Sequence, residues 1–220
     1  MAAPVYHNIL HNTFWLSANR CLYWEEEQAL ILSDLHLGKT GHFRKAGIAI
    51  PQHLYKEDLQ RLFHQIQFYQ PQQLIIVGDL FHSYENKEMD LFMRWRNDIP
   101  GTAIHLIKGN HDILQANWYT QAGIQVSSES LTVKGFCFLH DQNDQQHTPA
   151  ENTYYFSGHI HPGVVISSKV KQSLRFPCFY FGKQHAILPA FGKFTGLAII
   201  KPKPADTVYA IVNQSVIKLS

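Results

Sequence analysis

Cysteine is nearly absent. Cys21, Cys137 and Cys178 are the three in 220 residues, an odd number without CxxC spacing, which argues against a disulfide framework and a thiolate zinc site. Long apolar runs are missing too: none approaches the roughly 18–20 residues that a membrane-crossing helix needs. The first residues hold no charged stretch followed by an apolar core, since His7, Asn8, His11 and Asn12 interrupt every run, so no secretory leader is expected. Charge of one sign is not in excess. Lys and Arg number 19 against 17 Asp and Glu, a net +2, which permits a nucleic-acid partner through a local basic patch without demanding one. Internal repeats and low-complexity linkers are lacking. What remains is a globular, cytoplasmic chain, 45% hydrophobic and 16% charged, expected to form a single domain over residues 1–220.

Histidine, by contrast, is abundant at 14 copies, and several are placed informatively. Ala29–Leu32 is a compact apolar run that leads into Ser33-Asp34-Leu35-His36. On an extended strand end, residues i and i+2 share a face, so Asp34 and His36 can converge on one ion. Four later stretches repeat the design, each an apolar run that closes in a potential metal ligand. They are Gly78-Asp79, Gly109-Asn110-His111-Asp112, His140, and Gly158-His159-Ile160-His161. Helices are expected between the early runs. One opens at Pro51 with Tyr55, Leu59, Leu62, Phe63 and Ile66 along one face; another covers about Asn86–Arg96 with Met89, Phe92 and Met93; a shorter one lies around Ile113–Trp118. Such alternation builds a sheet with helices packed on it. The second half breaks into short apolar runs joined by turns and reads as a meander facing that sheet.

Imidazole and oxygen ligands in two groups, with one carboxylate shared, suit two divalent ions about 3.5–4 Å apart that activate water and neutralise a phosphoryl group. Asp79 is the natural bridge, because it follows the central run with only Gly78 before it. In this order, Asp34-x-His36, Gly78-Asp79, Gly109-Asn110-His111-Asp112 and Gly158-His159-x-His161 resemble the calcineurin-like metallophosphoesterase superfamily. The resemblance implies an α/β fold, a four-layer αββα sandwich of two facing mixed β-sheets flanked by helices. It implies one metal held by Asp34, His36, Asp79 and His161, and a second held by Asp79, Asn110, His140 and His159. Hydroxide bridging the ions would attack in line, with Asn110 helping to stabilise the phosphoryl charge. His111 would protonate or hydrogen-bond the leaving oxygen, and Asp112 would orient His111. Leu139 stands where the superfamily commonly has glycine, which leaves His140 open between ligand and core-edge histidine.

A closer resemblance runs from about residue 30 onward. Leu32–Lys39, His42–Ile48 with Pro51, Gly78–Ser83, Arg175–Phe179 and Leu188–Gly196 are similar to the bacterial ligase-associated DNA damage response endonucleases, the PdeM family. That resemblance implies a Mn²⁺-dependent phosphodiesterase cutting single-stranded DNA internally in DNA repair, in association with an ATP-dependent DNA ligase, a helicase and a second nuclease. Fe, Zn and Ni are alternatives to Mn²⁺, since His, Asp and Asn sites accept them all. Lys39, His42, Arg44 and Lys45 follow the first ligand pair and could contact a phosphate backbone without reading bases; a solvated loop is the plainer alternative. His82, just after Asp79, is either a positioning group or a surface residue. Two other functions stay open. One is the same machinery acting on a phosphomonoester or a nucleotide or small-molecule phosphodiester; the other is a non-catalytic scaffold for the ligase or helicase. No membrane partner is expected.

Overall fold

A strand covered on both faces must be apolar at successive positions, and the runs that precede the first three ligand candidates meet that condition. The computed structural model describes residues 3–37, 54–82, 87–143, 152–167 and 173–219. Its first sheet has seven strands in chain order: β1 (Val5–Ile9), β2 (Asn12–Ser17), β3 (Cys21–Trp24), β4 (Ala29–Leu32), β5 (Gln73–Val77), β6 (Ala103–Ile107) and β7 (Ile124–Ser127). Neighbours from β1 to β4 are antiparallel, and those from β4 to β7 are parallel. Parallel neighbours need long crossovers; α1 (Leu54–Tyr69), α2 (Lys87–Asn97) and α3 (Ala116–Gln121) lie in them. The third helix starts later than the sequence suggests, because the chain from Asp112 to Gln115 is irregular after the turn at Asn110-His111.

Alternation of side chains divides the core in two. Leu30, Leu32, Leu74, Ile76, Ile104 and Leu106 pack with Leu59, Leu62 and Ile66 of α1 and with Met89, Phe92 and Trp95 of α2. The intervening Ala29, Ile31, Ile75, Val77 and Ile107 face the second sheet, against Phe136, Phe138, Phe156, Phe179 and Phe181. A one-residue slip of β4 or β5 would exchange these two faces, so the register is specified by both layers at once.

The second sheet comprises β8 (Ser130–Val133), β9 (Phe136–Leu139), β10 (Tyr154–Ser157), β11 (Pro162–Ser167), β12 (Ser173–Phe181), β13 (His185–Ile187), β14 (Ala198–Ile199), β15 (Thr207–Val212) and β16 (Ser215–Lys218). Its order is β14-β11-β12-β13-β10-β9-β8, with β15 and β16 continuing from β12. The meander read from the sequence is corrected here: β10 is parallel to both β9 and β13. Two facing mixed sheets with few helices are therefore present, as the resemblance implied. The three described helices belong to the first sheet. On the outer face of the second, Val164, Cys178, Val208 and Ala210 form a smaller cluster with Ile200 and Val212. Among the described residues no helix is long and apolar enough to cross a membrane.

Candidate metal centre

Parallel strands end on the same edge, so each ligand candidate that follows β4, β5 or β6 emerges at one rim of the first sheet. The parallel pairing of β9 with β10 does the same for His140 and for His159 with His161. The two rims meet. Asp34, His36 and His161 bring ligand atoms within 4.8 Å of one another, and so do Asp79, His140 and His159. One carboxylate oxygen reaches both groups: Asp79 Oδ2 lies 3.8 Å from His36 Nε2 and 3.5 Å from His140 Nε2. Asn110 joins the second group, its Oδ1 being 3.1 Å from His140 Nε2. His159 Nδ1 approaches the same His140 nitrogen at 3.1 Å, while His161 Nε2 is 3.2 Å from His36 Nε2 and 3.5 Å from Asp34 Oδ1.

The backbone is bent to achieve this. Asp34, His36, Asp79, His159 and His161 all have φ between 49° and 67°, in the left-handed region where side chains other than glycine cost roughly 1–2 kcal/mol each. Close approach across strands needs glycine. A Cβ at Gly78 would lie 1.8 Å from His140 Nδ1, one at Gly109 would lie 2.1 Å from Asp79 Oδ1, and one at Gly158 would lie 2.5 Å from Asp34 Oδ2. The first of these removes the puzzle of Leu139. Room for His140 is made by Gly78, which follows β5 in the facing sheet, so Leu139 can stay in the core at 2% exposure.

Backbone donors fix the carboxylates. The His159 N–H reaches Asp34 Oδ1 and Oδ2 at 3.2 and 3.1 Å, and the His111 N–H reaches Asp79 Oδ1 at 3.0 Å. Burial alone would raise the Asp79 pKa. The hydrogen bond and charge of His140, the His111 N–H and His36 outweigh it, leaving the group at about 2. In His140 burial opposes protonation, but Asp79, Asp34 and the Val77 carbonyl prevail and lift it to about 9. The cluster therefore draws positive charge inward. Three carboxylate or amide oxygens and four imidazoles, converging on two points, are a donor set that suits a borderline divalent cation.

His111 and Asp112 sit beside these groups. The His111 ring lies 5.6 Å from that of His36 and 4.2 Å from that of His82, tilted by 35° in the latter pair. His82, undecided from the sequence, is thus part of the site; its ring is also 5.3 Å from His36. Asp112 reaches His111 differently from the expectation that it orients the ring directly. Its oxygens accept the Phe81 N–H at 3.0 Å and the Gly109 N–H at 2.9 Å, so it shapes the turn that carries Asn110 and His111. Burial, partly offset by those N–H groups, raises its pKa to about 6. Asp141 was missed in the sequence although it adjoins His140; its Oδ2 is 3.7 Å from His159 Nε2. Lys39, His42, Arg44 and Lys45 fall outside the described residues.

Two nitrogen-and-oxygen donor groups, both reached by one carboxylate, thus lie at the joined rims of two mixed sheets. Residues 28–182 match the model of the calcineurin-like phosphoesterases, and the chain belongs to that family. The crystal structure of Pseudomonas putida nuclease MPE is similar over 98% of this chain and 100% of that one, with a TM-score of 0.82 and 28% identity. Yfce, a phosphoesterase from E. coli, is more distant, with a TM-score of 0.45 and 14% identity over 86% of this chain and 96% of that chain. No curated protein matches the chain.

Proposed function

We propose that this phosphoesterase hydrolyses phosphodiester bonds of DNA, cutting single strands internally with two Mn²⁺ ions. The observation that carries the reading is the shared Asp79 Oδ2 between two groups of N and O donors. The likeness to a nuclease along nearly the whole chain supports nucleic acid as substrate. Asp34, His36 and His161 would hold one ion, His140, His159 and Asn110 the other, with Asp79 common to both. Bound there, the ions supply Lewis acidity and a nucleophile at neutral pH.

The chain's own groups do the rest. The His111 N–H, held by Asp79 Oδ1, fixes the start of the turn, and the tilted His82 ring 4.2 Å from that of His111 limits how its imidazole can rotate. An imidazole so placed gives a hydrogen bond or proton to the departing sugar oxygen, a general-acid role. Asn110 is exposed, so its amide could meet a phosphoryl oxygen of a bound substrate. Lys39, His42, Arg44 and Lys45 would track flanking phosphates, which predicts a salt-sensitive affinity with little base preference. The proposed setting is bacterial DNA repair in the cytoplasm, with an ATP-dependent DNA ligase, a helicase and a second nuclease as partners.

The test offers closed circular single-stranded DNA to metal-stripped protein resupplied with Mn²⁺, with Asn110→Ala protein alongside to reveal a contaminating nuclease. Linearisation that needs both Mn²⁺ and Asn110 is expected. Intact circles together with brisk hydrolysis of a small phosphate ester would overturn the DNA reading in favour of a small-molecule phosphoesterase.

A further inference from the structure

The loop after β13 reaches under the first metal group. Its Phe191 N–H donates to the Ser33 carbonyl at 2.8 Å and its Gly192 N–H to the Asp34 carbonyl at 3.1 Å, while Ala190 bridges Ser33 in parallel register. On the other side the Asp34 N–H donates to the Gly78 carbonyl at 3.1 Å. The left-handed backbone of Asp34 is gripped between these two partners. A Cβ at position 192 would meet the Leu35 carbonyl oxygen at 2.7 Å, so the loop approaches as closely as a peptide can.

Two arginines hold that loop in turn. Arg20 Nη1 donates to the carbonyls of Ala190 and Gly192 at 3.3 and 3.1 Å. Arg61 Nη2 donates to the Phe191 carbonyl, and the Arg61 guanidinium lies 3.9 Å from the centre of the Phe191 ring. Arg61 Nη1 also donates to the Asn19 carbonyl at 2.7 Å, fixing the turn in which Arg20 has a φ of 66°. Asp58 completes the cluster, accepting from Arg61 at 2.7 Å and from the Lys193 N–H at 3.2 Å. The Arg61 and Asp58 side chains are only 12% and 9% exposed.

Packing two guanidiniums against one carboxylate is costly. Burial, and then repulsion from Arg61, pushes Arg20 down to about 10. A loop needed only to reverse the chain could leave its carbonyls to water and avoid that cost. The three carbonyls that the arginines take belong to Ala190, Phe191 and Gly192. These are the residues that contact Ser33 and Asp34.

We propose that Arg61, acting with Arg20, is a positioning residue for the Asp34–His36–His161 group, holding the 190–192 loop and through it the backbone of Asp34. The proposal rests on reading that group as a metal site. Ligand positions must be right to about 0.2 Å for a metal to bind fully, so a loop that relaxes even slightly is felt at the ion. Arg61 touches neither substrate nor metal in this arrangement; its influence travels through two backbone hydrogen bonds.

The experiment titrates Mn²⁺ into metal-stripped wild-type, Arg61→Met and Arg61→Lys protein, read by calorimetry and by the electron paramagnetic resonance of coupled against isolated Mn²⁺. Thermal unfolding without metal is recorded beside it. Arg61→Met is expected to weaken one of two sites about 10- to 100-fold, the range seen when a group behind a ligand is lost, and to leave the other within about twofold. Arg61→Lys keeps the charge but not the planar fork, and is expected to recover only part of the loss. Two wild-type affinities in Arg61→Met, whatever its melting temperature, would reduce Arg61 to a structural prop and overturn the proposal. Should Arg61→Met fail to fold, Arg20→Lys replaces it with the same expectation. The metal reading has its own control in His36→Ala, which should lose one ion. If wild type binds fewer than two Mn²⁺, or His36→Ala still binds both, the metal group and the proposal fall together.

Discussion

Replacing Gly109 by alanine tests the bridge most directly. Its φ is not in the left-handed region, so the backbone accepts alanine, and only space is at issue. The added Cβ would stand 2.1 Å from Asp79 Oδ1 and 2.5 Å from the Asp79 backbone nitrogen, where real Cβ atoms stay beyond 3.0 Å. The carboxylate must therefore move by about 0.9 Å and the backbone by about 0.5 Å, well past the ~0.2 Å that a metal site tolerates. Overpacking of this kind costs about 1–3 kcal/mol of stability, and a misplacement near 1 Å costs about 100-fold in rate. Gly109→Ala is thus expected to lose about 100-fold in kcat/KM with Mn²⁺ present. Its Mn²⁺ affinity should fall in calorimetric titration, because Asp79 is shared between both groups. Gly101→Ala is the control: nothing lies within 4 Å of its Cβ, and the substitution should be neutral or stabilise by up to ~1 kcal/mol. Full turnover and unaltered Mn²⁺ binding in Gly109→Ala would refute both the packing argument and the bridging role of Asp79.

Three further outcomes follow from other parts of the molecule. His82→Ala should lower kcat about 2- to 10-fold, the worth of one ring contact, whereas His82→Phe should keep most of it because the ring face over His111 remains; equal losses would mean that His82 acts through its nitrogens. Phe156 is fully buried and lies 5.1 Å from Phe14 and 5.3 Å from Phe138 by ring centre, so Phe156→Ala should cost about 3–5 kcal/mol in urea unfolding, and a loss under about 1 kcal/mol would contradict a tightly packed layer between the sheets. His7 is depressed to about 4, by burial and then by Lys218. A histidine whose folded pKa lies below its unfolded value of about 6.5 stabilises fully above that value, and the contribution is lost as pH falls through the folded pKa. Between pH 6.5 and 4 the wild type should therefore lose up to about 3 kcal/mol from this residue. His7→Phe, which can keep the contact with Phe181, should show a flatter slope; parallel curves would sink the assignment.

Much of the site could be read locally. A buried strand and a ligand are nearly adjacent in sequence, with a glycine just before Asp79 and Asn110, so Asp34, Asp79 and Asn110 declare themselves where an apolar run stops. What escaped depends on which strand ends meet, within a sheet or across the two. The glycine that makes room for His140 is Gly78 rather than its neighbour, and nothing local connects those two positions. The parallel pairing of β9 with β10 was hidden for the same reason: turn-rich spacing looks alike whether the next strand runs back or crosses over. Short strands were lost to weak signals. The hairpin of β15 and β16 turns on Asn213-Gln214, both with positive φ, and a two-residue turn of that type is recognised chiefly by a glycine that is missing here.

The left-handed ligands show where the global fold overrides local preference at this centre. Asp34, His36, Asp79, His159 and His161 each adopt a backbone that their own side chains disfavour. Local preference cannot hold them there, so the surrounding hydrogen bonds must. Asp34 is held by Gly78 and Gly192, His36 by the Asp79 carbonyl at 2.9 Å, and Gly158, just before His159, by the His140 carbonyl at 3.1 Å. In each case one ligand-bearing segment, or a loop braced against it, fixes another. Displacing any one of these segments therefore loosens a second, which is why Gly109→Ala and Arg61→Met, lying on different elements, are both expected to be felt at the metals. The short sequence patterns mark where the ions would sit, but it is this mutual bracing that makes those strained conformations the stable ones.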